Sequence, residues 1–490
     1  MNHPAFLDRG RRNRLPHPCK HWTSTRWRGA LWARFRLRGA IFSQLLTLLI
    51  LCAAGLYGAE MKAGVAKVEI TPTTPVWMSG YSARTHPSEG VLIPLWAKAL
   101  ALESSRGRRI VIVSTDVVGI PRGVADEVAA RVHTQYGLER SELLINCSHT
   151  HTGPMIWPNL MNLTVISPEE ERKLIAYSHT FADALVTVVG EALHDLAPAT
   201  VSYGEGSAAF AMNRRLPTPT GVKNSPYPEG PVDHRVPVLK IVDRSGKIRA
   251  ILFAYACHNT TLGGDIYQFS GDYAGYAQAA LEKEHPGATA LFMILCGADQ
   301  NPYPRGTVAH AQLHGDELAE AVDRVVSGSM TPVSGPIAST FRLIQLRLAP
   351  RSRDDFEKEL KSPIPAVVRR AELMLKAMDA GRPIDQVEYP VEAVRFGHSL
   401  TLLALGGEVT VDYALRMQRE YHGEPVITAG YSNDVMSYIP SARVLREGGY
   451  EAVDSMPYYG LAGPYSADVE DRIFAAIHQV MAKLGRKVGF

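Results

Sequence analysis

Past residue 60 the chain alternates between short uninterrupted apolar runs and longer stretches in which apolar residues recur every three or four positions. Arg109-Ile110-Val111-Ile112-Val113-Ser114 and Leu143-Leu144-Ile145-Asn146-Cys147 have strand length and no polar alternation, which predicts strands buried on both faces. Helical spacing over 123–136 lies between them, so this stretch predicts a strand-helix-strand unit ending at His149. Residues 250–257 and 290–296 repeat the arrangement around a helix at 276–283, and this second unit ends at Gly297. Further helices are predicted near 169–195, 309–327, 354–380 and 467–485, and strands at 236–241 and Leu400–Leu405. The Pro-rich stretch 216–231 predicts a long surface loop. The alternation predicts an α/β fold, a mixed sheet covered by helices, in one large domain over 61–490.

Composition places most of the chain in the ordinary globular class: 490 residues, 46% apolar and 21% charged. The net charge of +3 is unevenly spread, because residues 1–40 hold ten Lys/Arg against Asp8, leaving about −6 for the remainder. That balance gives no basic surface for nucleic acid. The apolar run over 40–55 follows the basic stretch in the order of a secretory signal, so residues 1–59 predict a leader, with export and cleavage near Ala54 or Ala59. The alternative for the same run is a single transmembrane anchor. Of five cysteines, Cys19 and Cys52 fall in the leader. Cys147, Cys257 and Cys296 each end an apolar run and predict small buried side chains rather than disulfides or reactive thiols.

Loops leaving the carboxyl ends of strands form the ligand crevice of open α/β sheets, so the polar residues there carry the candidate chemistry. Four such ends stand out: Ser148-His149-Thr150-His151, Cys257-His258-Asn259, Gly297-Ala298-Asp299-Gln300-Asn301-Pro302 and Gly406-Gly407-Glu408. A His-x-His pair on an extended segment turns both rings to one side. Taken alone, His258 reads as a hydrogen-bonded structural residue and Glu408 as an acid answering a helix dipole. Taken together they supply the nitrogen and oxygen ligands that zinc accepts.

In these residues the chain resembles the neutral/alkaline non-lysosomal ceramidases, zinc amidases that hydrolyse the N-acyl bond of ceramide. The likeness begins at Lys62-Ala63-Gly64-Val65-Ala66-Lys67-Val68-Glu69-Ile70-Thr71-Pro72. It continues through Met78-Ser79-Gly80-Tyr81 and Val113-Ser114-Thr115-Asp116 and extends to about Tyr450. Its most specific element is His149-Thr150-His151-Thr152-Gly153-Pro154, close to the family's His-Thr-His-Ser-Gly-Pro. The resemblance implies Zn2+ held by His149, His258, Glu408 and Tyr438, with His151 an unligated proton carrier. It also implies that Arg214 and Tyr450 donate to the substrate amide and its oxyanion; the twelve-residue spacing from Tyr438 to Tyr450 is that of the family. Asp116 is a candidate for orienting a ligating imidazole. The implied reaction releases a fatty acid from an N-acylsphingosine or related lipid amide by zinc-activated water, with contact at a membrane surface.

Two departures bear on that reading. Where the family carries Gly-Asp-Val-Ser-Pro-Asn, the stretch 297–302 has no serine, and Asn301 offers a hydrogen bond instead. Zinc-activated water needs no covalent intermediate and tolerates this change. The family's C-terminal β-sandwich-like domain is also not expected here. Three functions fit these residues: a lipid amidase, a zinc hydrolase of a non-lipid amide or ester, and a catalytically degenerate exported binding or scaffold protein. The sequence carries no signal for an oligomeric state.

Overall fold

The computed structural model describes residues 61–489, so the leader lies outside the described residues. The elements in chain order are β1 (Met61–Glu69), β2 (Trp96–Glu103), β3 (Arg109–Thr115), α1 (Arg122–Tyr136), β4 (Leu143–Cys147) and α2 (Pro168–His194). Then come β5 (Ala197–Ser207), β6 (Ala211–Thr218), β7 (Gly221–Tyr227), β8 (Arg235–Asp243), β9 (Ile248–Tyr255), α3 (Asp272–Glu284), β10 (Thr289–Ile294) and α4 (Val308–Val326). The last third holds β11 (Thr331–Val333), β12 (Ile337–Arg347), α5 (Arg353–Glu359), α6 (Pro365–Asp379), β13 (Gln386–Phe396), β14 (Leu400–Leu405), α7 (Val411–Glu420), β15 (Val426–Ala429) and α8 (Val469–Lys483).

Among the described residues two main sheets, not one, organise the fold. The larger runs β10-β9-β8-β5-β1-β2-β3-β4, with β11 added against β5; its two ends, β9/β10 and β3/β4, are parallel pairs, and the middle is antiparallel. The smaller runs β12-β13-β14-β15. Side chains alternate across each strand, so β3 sends Val111 and Val113 toward the helices and Ile110 and Ile112 toward the second sheet. The helices on the first side include α1, α2, α3 and α4, and the second sheet turns Leu403 and Leu405 toward α6 and α8. The order of layers is helices, sheet, sheet, helices. Burial on both faces is why the strands read as unbroken apolar runs. The long helix α2 begins where Ser167 accepts from the Glu170 amide, with Pro168 in the first turn and Glu169, Glu170 and Glu171 answering the dipole.

Two local expectations are corrected. The stretch 216–231 is not a surface loop: most of it belongs to the β6–β7 hairpin, whose two-residue turn Pro219-Thr220 leads into Gly221 at φ 127°. Pro217 and Pro226 in the hairpin strands gave it a loop-like composition. The predicted helix 354–380 is two helices, because Pro363 and Pro365 break the ladder between α5 and α6.

The site is positioned by the meeting of the two parallel pairs. The carboxamide of Asn146, on β4, accepts from the Ile294 amide at 3.0 Å and donates to the Ile294 carbonyl at 3.3 Å. Ser114 and Lys98 likewise donate to the carbonyls of Phe292 and Ala290. Side chains of β2, β3 and β4 therefore occupy the free edge of β10 as a further strand would. The loops leaving β4 and β9 emerge together, joined by a bridge between Thr150 and Asn259.

Candidate metal centre

His149 follows β4 in the left-handed region at φ 58°, and His258 follows β9. The His149-x-His151 segment is thus not extended as the sequence reading supposed. It is the turn at His149 that brings the two rings within 4.7 Å, edge to face. Each of His149 and His258 has its Nδ1 committed to a backbone carbonyl, His149 to Val118 at 2.5 Å and His258 to Gly297 at 2.9 Å. A carbonyl accepts only, so Nδ1 carries the proton and Nε2 presents a lone pair inward. Asp116, the sequence candidate for this orienting role, does not perform it. Its carboxylate accepts from the Trp96 amide at 3.0 Å and from Gln278.

Glu408 enters from the second sheet. Gly407, at φ 72°, would drive a side chain into Ile439 and the Ser437 carbonyl, and its turn leads into the short parallel pairing of Glu408 with Tyr438. Glu408 Oε2 lies 3.2 Å from His149 Nε2 and 3.1 Å from His258 Nε2, and it has no hydrogen-bond donor. Two imidazole lone pairs and a carboxylate oxygen, all buried, therefore converge with no proton among them. Such a cluster of acceptors is what a cation satisfies. Tyr438 completes the ring of groups, its hydroxyl 3.1 Å from His258 Nε2.

His151 Nε2 lies 3.1 Å from His149 Nε2. His149, His151 and His258 form a group whose ring nitrogens lie within 4.8 Å of one another and could hold a metal ion. Unlike the other two rings, His151 has no partner on Nδ1. Tyr81 packs edge-on at 5.0 Å, and Gly80 lies so close that a Cβ there would fall 2.4 Å from the imidazole. Burial, then the neighbouring His149 and His258, hold the His151 pKa well below the usual value. Burial and Arg214 bring His258 down to about 3. Burial alone would raise the Glu408 carboxyl, but the flanking His149 and His258 bring it well below its ordinary range.

The remaining sequence candidates gather beside this centre. Arg214 donates from Nη2 to the Tyr438 hydroxyl and from Nη1 to Asn301 Oδ1, both at 3.1 Å. The Tyr450 ring lies 5.6 Å from the Arg214 guanidinium and 5.4 Å from the Tyr438 ring. Two participants were missed from sequence. Tyr459 donates its hydroxyl to Glu408 Oε1, and Glu451 pairs with Arg214. Tyr459 sits in no motif, and the cluster Tyr450, Tyr458, Tyr459 downstream of Tyr438 was its available signal; Glu451 directly follows the candidate Tyr450 in Gly449-Tyr450-Glu451 but carried no assigned role. Cys147, Cys257 and Cys296 are buried free thiols, as expected.

Residues 61–342 match the family described as neutral/alkaline non-lysosomal ceramidase, N-terminal. The chain is 29% identical over 223 residues to the neutral ceramidase of Pseudomonas aeruginosa, an alignment covering 44% of this chain and 32% of that protein. It is 24% identical over 272 residues to the neutral ceramidase of Drosophila pseudoobscura pseudoobscura, covering 53% of this chain and 38% of that one. The chain thus spans about a third of the length of the curated relatives it matches. The crystal structure of neutral ceramidase from Pseudomonas aeruginosa superposes with a TM-score of 0.68 at 21% identity, over 88% of this chain and 76% of that one. A structure described as ceramidase complexed with C2 gives 0.69 at 19% identity over the same shares, and both establish the mixed α/β fold.

Proposed function

This chain belongs to the neutral/alkaline non-lysosomal ceramidase family, and from that premise we propose that it is a zinc-dependent amidase that releases a fatty acid from an N-acylsphingosine or a related N-acyl lipid. The observation that carries the proposal is the convergence of His149 Nε2, His258 Nε2 and Glu408 Oε2 with no donor among them. His149, His258, Glu408 and Tyr438 would hold the ion. The backbone acceptors on His149 and His258 favour this set over one that includes His151, since ligating histidines characteristically donate their other N–H. When bound, zinc supplies Lewis acidity at the carbonyl oxygen and lowers the pKa of water toward about 7.

The chain's own residues do the rest. His151, neutral and unpartnered on Nδ1, takes up a proton and returns it to the departing nitrogen, a role worth roughly 10²–10⁴ in rate. Arg214, with N–H groups beyond those bound to Tyr438, Asn301 and Glu451, and Tyr450 beside it donate to the developing oxyanion. Asn301 serves Arg214 rather than acting as a nucleophile, and the stretch 297–302 offers no hydroxyl for a covalent intermediate.

The lipid part of the reading is supported by a cavity of about 520 Å³ that has Tyr450 in its wall and one apolar side formed by Val453, Pro457, Ile364 and Val367, with Arg351, Glu359, Arg370 and Asp454 also in its lining. Its volume is that of a small-molecule site, roughly 300–1,000 Å³. Ile364, Leu360 and Val453 stand exposed nearby, which suits contact with lipid. Fatty-acid release from labelled ceramide, set against a panel of short N-acyl compounds, tests the substrate class. Metal analysis of the purified protein tests the cofactor, and a protein that binds no zinc refutes the proposal. Export is part of the same proposal. Among the described residues no helix is long and apolar enough to cross a membrane, and N-terminal sequencing of the mature protein tests cleavage of residues 1–59.

A further inference from the structure

Arg214 and Arg215 are neighbours on β6, and successive strand residues ordinarily face opposite ways. Here both reach one carboxylate: Glu451 Oε1 accepts from Arg214 Nε at 2.8 Å and Oε2 from Arg215 Nη1 at 2.5 Å. The backbone supplies the reason. The pairing of β6 with β7 slips between Asn213 and Arg215, where Asn213 Oδ1 accepts from the Arg215 amide at 2.9 Å, and such an irregularity re-aims a side chain. On the opposite side, Gly448 (φ 73°, ψ −152°) and Gly449 (φ 79°, ψ −162°) occupy a region open essentially to glycine alone. They lead into the five-residue π-turn Tyr450–Asp454, which delivers Tyr450 and Glu451 together to Arg214.

We propose that Glu451 is a positioning residue of the site: bridged between two arginines, it fixes Arg214 so that one N–H stays on the Tyr438 hydroxyl and another on Asn301. The inference rests on the amidase reading above for its effect on rate, though not for its geometry. Arg215 is the fixed jaw of the clamp. Its Nη2 is held by Glu447 Oε2 at 3.0 Å and the Gly448 carbonyl at 2.9 Å, and its guanidinium bonds to these and to Glu451 rather than to Tyr438. A single arginine would leave the carboxylate free to rotate about its side chain; the second removes that freedom. Glutamine at 451 would keep one acceptor for Arg214 but turn an NH₂ group toward the Arg215 donor, opening the clamp on one side.

The test is the steady-state kinetics of Glu451→Gln, Glu451→Asp and Arg215→Gln on the best amide substrate, with a crystal structure of Glu451→Gln. Glu451→Gln is expected to lower kcat by roughly 10–100-fold with KM within about threefold and zinc content unchanged, the size of loss seen when a supporting partner is removed. Glu451→Asp is expected to recover part of the rate, and Arg215→Gln to show a smaller loss of the same kind. A kcat that stays within threefold while Tm falls, or a rise in KM alone, overturns the proposal. If the wild type turns over no amide, the proposed reaction fails and the clamp is read from the crystal structure: Arg214 still bound to Tyr438 in Glu451→Gln would overturn it. Should Glu451→Gln not fold, Arg215→Gln supplies both readings.

Discussion

Replacing Glu392 by glutamine should stabilise the protein at pH 8 and leave it unchanged near pH 4.5. Glu392, on β13, is buried between the two sheets. Its Oε2 accepts from Asn433 Nδ2 at 2.8 Å, its Oε1 has no partner, and the Arg140 guanidinium stands off at 3.7 Å. Asn433 in turn exchanges hydrogen bonds with the Ile145 backbone on β4, so the acid sits on the link between the sheets. Burial pushes its carboxyl from 4.5 up to about 7, and Arg140 and Asn433 only partly offset that rise. The folded pKa exceeds the unfolded one, so ionisation costs stability. The cost is absent below about 4.5, grows as pH rises through this interval, and is complete above about 7. At roughly 1.4 kcal/mol per tenfold it reaches about 3 kcal/mol. Glutamine mimics the protonated acid and keeps an acceptor for Asn433. Urea unfolding of both proteins at pH 5, 6, 7 and 8 reads the difference directly, and the neighbouring Asp434, whose carboxyl burial also raises to about 7, cancels because it is common to both. A difference that does not change with pH, or a variant less stable at pH 8, refutes the reasoning.

Three further outcomes are expected. His151→Gln should retain bound zinc while kcat falls roughly 10²–10⁴-fold, whereas Glu408→Gln should weaken zinc by tenfold or more; zinc titration of both variants decides, and loss of zinc from His151→Gln would point to the three-imidazole set. Gly80→Ala forces a side chain against the His151 ring at a backbone φ of 96°, so kcat should drop with little change in zinc content, and wild-type kinetics would show that the ring is not confined there. Val453→Asp places a charge in the cavity beside Tyr450 and should raise KM for long acyl chains at least tenfold while leaving N-acetyl substrates within threefold; a chain-length series with an unchanged slope rules the cavity out as the acyl site.

How far the sequence reached depended on the range of the forces involved. Strands such as 109–115 and 400–405 were legible because burial on both faces makes them mostly apolar without polar alternation, and α2 was legible from its helical period. That these strands belong to two stacked sheets was not, since an apolar run does not say what covers each face. The break at Pro363 and Pro365 was written in the chain but overridden by the surrounding helical period. The convergence of His149, His258 and Glu408 followed from their places at strand ends. The groups that aim them did not: the Val118 and Gly297 carbonyls carry no side-chain signature. Tyr459 and Glu451 act across more than fifty and more than two hundred residues respectively, a separation at which no local pattern survives.

The Asn146 carboxamide, which takes the place of a strand between β4 and β10, bears on the order in which the centre is assembled. Because that amide ties the two ends of the large sheet together beneath the His149 and His258 loops, the loops belong to the same cooperative unit as the core and lose their freedom when the chain folds. An arriving cation then meets ligands already ordered, and its affinity is not drained by arranging them. Chelation should leave a folded protein, and the amides of 255–258 and 294–297 should exchange with solvent only on global unfolding, which ties the lifetime of the site to that of the fold itself.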